Sequence, residues 1–349
     1  MMRWLSAHLC ALALAACSER PAGGPIVLTY ASSYSPTHPF SRADIAWIKH
    51  VEAASQGRLK IKPYWSGSLL SAEQSMLEIR HGVADIGLIT PIYVRGGAHL
   101  TSGQSAFYAG ARQIKDQVAV YKCLAADFPA LRAEMAGLHV LAVQGGNLPG
   151  VITRTRPVAS VEDFKGLRLR VPEEYVALLK ELGGDPVSMP MSEVYSALAK
   201  GVLDGVVVAP DALRSMHFTE VAKFYAPLEA PRGAYPARAI SEARLRALPA
   251  DLQKVLLDAQ PVWEAALEDN IGKAAKGGLA YGREQRMTFV PVDPAAQAAF
   301  NARYIEATRR EARKLDAYGA DGDAMLARAQ ALIADRLAGK ARDCDGPLS

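Results

Sequence analysis

Residues 167–172 read Leu-Arg-Leu-Arg-Val-Pro. In a strand, successive side chains point to opposite faces, so Leu167, Leu169 and Val171 share one face and Arg168 and Arg170 the other. Arg170 stands last on the polar face, just before Pro172. Ligands of open α/β sheets gather at the carboxyl ends of strands, and a guanidinium there can clamp a carboxylate through two parallel hydrogen bonds. The competing reading of Arg170 is a structural ion pair. Arg168 lies further from the strand end and reads as surface or structural charge.

No other constellation points to chemistry. The chain has no G-x-S-x-G, H-E-x-x-H, P-loop or G-x-G-x-x-G run, so no nucleophile elbow, zinc helix or nucleotide cradle is expected. Neither a cofactor nor a metal is expected. The seven histidines are dispersed. His38 and His81 are the two that could approach a cleft, but a lone histidine is more often a solvated or satisfied side chain. Glu173-Glu174 reads as favourable charge at a helix N-terminus, and Asp343 with Asp345 as a solvated tail. With 40 Lys+Arg against 36 Asp+Glu the net charge is +4, too weak and too scattered for nucleic acid.

The elements that would position Arg170 alternate. Ile26–Ala31 reads as a short buried strand and 42–55 as a helix with Ile45, Ile48 and Val51 on one face. Residues 58–62 alternate as a half-buried strand. Ser71-Ala72-Glu73-Gln74 is a capping box predicting a helix through His81. Residues 85–90 predict another strand, and Ser160–Asp163 a second capping-box start. Residues 173–182 and 192–200 predict helices, the latter with Ser192 as N-cap, and 202–208 a buried strand. From Pro249 the pattern is helical to Leu337, broken at 287–294, with Pro261 kinking or resetting the first helix. This rhythm predicts an α/β protein with largely parallel sheets, and the tail after Gly339 reads as loosely ordered.

Arg3, the apolar run 4–16 and Leu14-Ala15-Ala16-Cys17 read as a signal peptide ending in a bacterial lipobox, with Cys17 lipidated and residues 17–25 a tether. That places the protein on the periplasmic side of the cell envelope, lipid-anchored to a membrane. Cys123 and Cys344 then remain in an oxidising compartment, where they either form a disulfide or stay as separate thiols.

Several further motifs surround Arg170. Asp163-Phe164-Lys165-Gly166-Leu167 leads into the Arg170-Val171-Pro172 strand. Pro190-Met191-Ser192-Glu193-Val194-Tyr195-Ser196-Ala197-Leu198 follows, then Gly201-Val202-Leu203-Asp204-Gly205. Together with Gln56–Ile61, Glu78 through Asp85, Leu248-Pro249 and Phe300, these resemble the DctP-like substrate-binding proteins of tripartite ATP-independent periplasmic (TRAP) transporters. The resemblance runs over roughly residues 26 to 315. It implies a two-lobed periplasmic-binding-protein fold with hinge strands and a long helix bracing both lobes, closing over a ligand. Mapped here, lobe I would be 26–147 plus 236–275 and lobe II 148–235 plus 276–310, with C-terminal helices and tail over 311–349. It also implies that Arg170 holds the substrate carboxylate and that the partners are a small organic acid and the small and large TRAP membrane subunits.

The departures from the family pattern bear on the ligand. Met191 stands where an aromatic is usual, Val206–Ala209 lacks the usual polar side chain, and 147–150 has no arginine. A cleft poor in hydrogen-bonding groups favours an apolar or aromatic monocarboxylate over a sugar acid, because each stranded buried polar group costs about 1–3 kcal/mol. The candidate ligand-binding residues are Arg170, Met191, Val208, Ala209, Thr90, Tyr93 and Tyr34, with no second arginine expected. The leading function is solute capture for an importer. A lipid-anchored sensor reporting to a membrane signalling partner is the alternative, and an envelope enzyme acting on a carboxylic acid is third.

Overall fold

The computed structural model describes residues 24–94, 96–340, 343, 344, 346 and 348. Cys17 and the leader therefore lie outside the described residues. Eleven strands occur among those described, in chain order β1 Ile26–Ala31, β2 Leu59–Tyr64, β3 Ile86–Leu88, β4 Leu138–Gln144, β5 Gly150–Thr153, β6 Arg168–Arg170, β7 Asp185–Val187, β8 Gly205–Val208, β9 Phe224–Ala226, β10 Tyr235–Ser241 and β11 Thr288–Phe289. They form two mixed sheets, ordered β2-β1-β3-β10-β4 and β11-β9-β5-β8-β6-β7. Within the first, β10 runs antiparallel to both neighbours. In the second, β5 is antiparallel to β8 and β9. The chain passes from one sheet to the other through 145–149 and returns through 227–234, so two short segments join the lobes. The two touch, with Ala230 N–H donating to the Pro149 carbonyl at 3.1 Å.

Each sheet is covered by helices whose apolar faces fill its core. Helix Pro39–Ala54 buries Ala43, Trp47, Ile48 and Val51. In the second lobe Val194 and Leu198 of helix Met191–Ala199 pack with Ile152, Leu203 and Val206. The 25-residue helix Gln260–Glu284 spans both lobes, its length of about 38 Å following from 1.5 Å per residue. It packs on helix Pro39–Ala54 and β4 at one end and on helix Ala212–Ser215 at the other. The second contact needs a glycine: a Cβ on Gly278 would lie 2.1 Å from the Pro210 carbonyl oxygen. Helix Pro294–Ala312 adds a second brace. Its Phe300 stacks near Phe164, Tyr304 packs on Tyr175, and the Tyr304 hydroxyl donates to Ala106 O at 3.0 Å.

Several local expectations are corrected. The helix expected from Ser71 begins at Ser75. Ser71 Oγ does accept from Gln74 N–H, but Ser71 N–H donates to Glu78 at 2.9 Å rather than to residue 74, which closes a turn instead of a helix. The N-cap of helix Met191–Ala199 is Pro190, not Ser192. Only Gly205–Val208 of 202–208 is strand, because 201–204 is a turn closing the preceding helix. Residues 173–182 split into a 3₁₀ turn Glu173–Tyr175 and a helix Val176–Glu181. Pro261 resets the helix: one ends at Asp258 and the next begins at Gln260.

Candidate functional site

Four strands deliver side chains to one cavity between the sheets. Tyr34 follows β1, Tyr93 ends the single turn Pro91–Tyr93 after β3, Arg170 ends β6, and Val208 ends β8 with Ala209 just past it. Met191, at the first turn of its helix, adds a wall. All come from carboxyl ends of strands or the turns just after them, where side chains leave the sheet and face the crevice. The cavity holds about 80 Å³, several times what one water needs.

Arg170 is only 2% exposed. Its Nε–H donates to Met189 O at 3.1 Å, and Nη2 donates to the Tyr93 hydroxyl. The guanidinium also lies over the Tyr93 ring, 5.7 Å from its centre. Among the described residues no carboxylate comes within 4.0 Å of it, and its other N–H donors have no protein partner. A buried, fixed guanidinium with no carboxylate in contact is poised for an anion. Arg168, on the same strand, is exposed and pairs with Asp185 at 2.6 Å.

Thr90 is the one candidate that does not line the cavity, which corrects its assignment. It is buried, and its hydroxyl donates to Ala72 O while its N–H donates to Ser75 Oγ at 3.2 Å. The turn at 71–74 therefore draws it away from the ligand side. His38 does line the cavity, as a structural group: its Nδ1 accepts from Phe40 N–H at 3.2 Å and caps helix Pro39–Ala54. Burial, helped by the charge of Arg238, lowers its pKa to about 3, so it is neutral at pH 7. His81 is exposed.

The expectation of a cleft poor in polar groups, with one arginine, is also corrected. Arg232, Glu174, Asp211, Ser105 and Tyr235 line the same cavity. Arg232 comes from the return segment 227–234 and its guanidinium lies against the outgoing one, donating to Asn147 O at 3.5 Å. A Cβ on Gly146 would sit 2.3 Å from its Cζ, so the guanidinium in this position lies directly against the Gly146 backbone. The stretch 147–150 lacks an arginine of its own, and another crossing segment supplies one. Burial pushes the Glu174 carboxyl up to about 7, although Arg232 and Arg170 pull the other way. The buried Asp211 is likewise raised by burial, with Arg232 opposing. Burial raises Tyr34 and moves Tyr235 to about 12, so these phenols stay protonated donors. Glu174, two residues past Pro172, was within reach of the strand-end argument that finds Arg170. Arg232 sits in a segment with no periodicity, and no sequence signal marks it.

Cys123, buried in helix Ile114–Asp127, is bonded to Cys344, with Cα atoms 5.0 Å apart. The bond lies away from the cavity and ties the C-terminal stretch to the first lobe. Among the described residues no cluster of His, Cys, Asp or Glu could hold a metal ion, and no helix is long and apolar enough to cross a membrane.

A two-sheet fold closing on a cavity with a strand-end arginine defines a class, the periplasmic-type solute-binding proteins. Residues 30–314 match the model of bacterial extracellular solute-binding protein, family 7 (DctP), and the chain belongs to that family. A solute-binding protein of Albidiferax ferrireducens is 28% identical over 235 residues, 64% of this chain and 68% of the relative. A TRAP solute-binding protein of Rhodoferax ferrireducens, solved with copurified benzoate, superposes with a TM-score of 0.80 at 20% identity, covering 90% of this chain and 100% of that one. A TRAP periplasmic solute-binding protein of Sulfitobacter sp. with bound β-D-galacturonate gives 0.74 at 17% identity, covering 87% and 99%. Likeness at that identity shows the fold, and the same fold carries an aromatic acid in one protein and a sugar acid in the other.

Proposed function

We propose that this protein is the solute-capturing subunit of a TRAP transporter and that it binds a small organic acid, preferring a compact, largely apolar or aromatic monocarboxylate. The observation that carries this reading is Arg170: a buried guanidinium at the cavity wall, held by Met189 O and Tyr93, with no acid paired to it among the described residues. The ligand carboxylate supplies the missing counter-charge. Tyr34, Ile92, Met191, Val207 and Val208 offer apolar surface to the rest of the molecule. Membership of a binding-protein family supports capture rather than catalysis.

Partner membrane subunits, small and large, follow from the same reading, since the relatives that share the fold are TRAP binding proteins. Leu14-Ala15-Ala16-Cys17 supports a lipid anchor at Cys17 on the periplasmic side. Loss of lipid labelling in Cys17→Ser is the expected result, and an unlabelled wild type ends that part of the reading.

The test of the binding function is calorimetric titration with a panel of small carboxylates and their uncharged amide analogues. Wild type should bind carboxylates and reject the amides. Arg170→Ala strands the ligand charge in a desolvated site, a loss of about 3–5 kcal/mol or roughly 10²–10³-fold or more in affinity. Arg170→Lys should recover only part, because a point charge lacks the fork. Unchanged affinity in Arg170→Ala, or tight binding of an amide, would refute the proposal.

A further inference from the structure

The cavity contains a second polar group that carboxylate capture by Arg170 leaves unused. Arg232 stands on the return crossing segment, braced by Asn147 O and by the bare backbone of Gly146 on the outgoing one. Glu174 lines the same cavity from the second lobe, in the 3₁₀ turn after β6. Among the described residues no carboxylate comes within 4.0 Å of Arg232. Among the described residues Glu174 receives one hydrogen bond from another residue's side chain, a long one of 3.4 Å from Ser105 Oγ. Ser105 belongs to the first lobe, and the next residue after Glu174, Tyr175, donates its hydroxyl to Pro231 O in the return segment. A donor and an acceptor, one on the hinge and one on a lobe, thus line one cavity without being satisfied by each other.

We propose that Arg232 and Glu174 form a second subsite that takes a neutral hydroxyl substituent of the same ligand whose carboxylate Arg170 holds. A hydroxyl can donate to Glu174 and accept from Arg232 at once. A second carboxylate fits less well, because Glu174 and Asp211 already share the neighbourhood of Arg232 and a further anion would face both. The ligand class is therefore a hydroxylated monocarboxylate. Its hydroxyl end would join the hinge to the second lobe, so that occupancy favours the closed arrangement. This inference rests on the carboxylate reading above.

The experiment measures affinities for benzoate, 3- and 4-hydroxybenzoate and isophthalate at pH 6 and pH 8, in wild type, Glu174→Ala, Arg232→Met and Arg232→Lys. Melting curves first establish that each variant folds. Wild type should prefer the better hydroxy acid over benzoate by about tenfold or more, the gain typical of a hydrogen bond to a charged group. Isophthalate should bind no better than benzoate. Glu174→Ala and Arg232→Met should reduce the preference to less than about threefold, with Arg232→Lys in between. The wild-type preference should grow from pH 6 to pH 8, as a carboxyl titrating near 7 becomes the better acceptor, and Glu174→Ala should lose that growth. If benzoate binds through Arg170 but wild type shows no preference, or the variants keep it, the subsite is overturned and the carboxylate reading stands. If neither acid binds wild type, both fall.

Discussion

Asp44→Asn tests the physical account of the first lobe most directly. Asp44 is fully buried in helix Pro39–Ala54, and it is the centre of a network rather than one half of a pair. Arg238 of β10 approaches it with Nε at 2.6 Å and Nη2 at 3.1 Å, and Trp263 of the long helix donates to it from Nε1 at 2.7 Å. Arg238, itself 2% exposed, also donates to Ala237 O at 2.9 Å and to Gln144 Oε1 at 3.4 Å. Gln144 in turn donates to the Tyr235 hydroxyl, at the cavity wall, at 3.1 Å. Removing the Asp44 charge leaves a desolvated guanidinium without its counter-ion, which costs about 3–5 kcal/mol. With about 2.1 cal/mol/K of unfolding entropy per residue, a unit of about 320 residues should melt roughly 4–7 °C lower. The assay is thermal unfolding followed by circular dichroism. A double variant, Asp44→Leu with Arg238→Met, should recover much of the loss, because removing both charges avoids the stranded ion. A shift under about 1 °C in Asp44→Asn, or a double variant less stable than the single, would show that this network does not carry the stability assigned to it.

Two further outcomes are expected. The Cys123–Cys344 bond closes a loop of sequence separation 221, for which the chain-entropy relation gives up to about 5 kcal/mol; Cys344→Ser should lower the urea midpoint in oxidising buffer and match wild type once both are reduced, and equal midpoints in both buffers would show that the bond contributes nothing. His38 is held neutral by burial and by Arg238, with its pKa lowered from 6.5 to about 3, so the folded state binds fewer protons than the unfolded one and this group's stabilisation, full above pH 6.5, is lost as pH falls toward 3. Between pH 6.5 and 5 the loss is up to about 2 kcal/mol; His38→Asn, which can still cap the helix, should flatten that part of the pH–stability curve, and an unchanged slope would remove His38 from the account.

How far the sequence could be read depended on whether a residue belongs to a periodic element. Arg170 was legible because Leu167, Leu169 and Val171 alternate with it and Pro172 marks the end of the strand, so its face and position follow from pleat geometry alone. Val208 and Ala209 were placed by the end of their strand in the same way. Thr90 was misplaced because the side chain's direction after a strand end depends on what the neighbouring turn offers it, here Ala72 O and Ser75 Oγ. Glu174 read as helix N-terminal charge, since nothing local distinguishes a glutamate facing solvent from one facing a cavity.

The family motifs, the α/β alternation, the strand-end arginine and the helical C-terminal third are all written in local period or in a contiguous run. Tertiary structure alone decided the polar character of the cavity. Arg232 reaches it because two segments about 85 positions apart, 145–149 and 227–234, cross side by side at the hinge. Likewise Asp44, Arg238 and Trp263 meet only when a helix, a returning strand and the long brace pack together. Contacts of that kind depend on chain crossings rather than on periodicity, and no local pattern announces them.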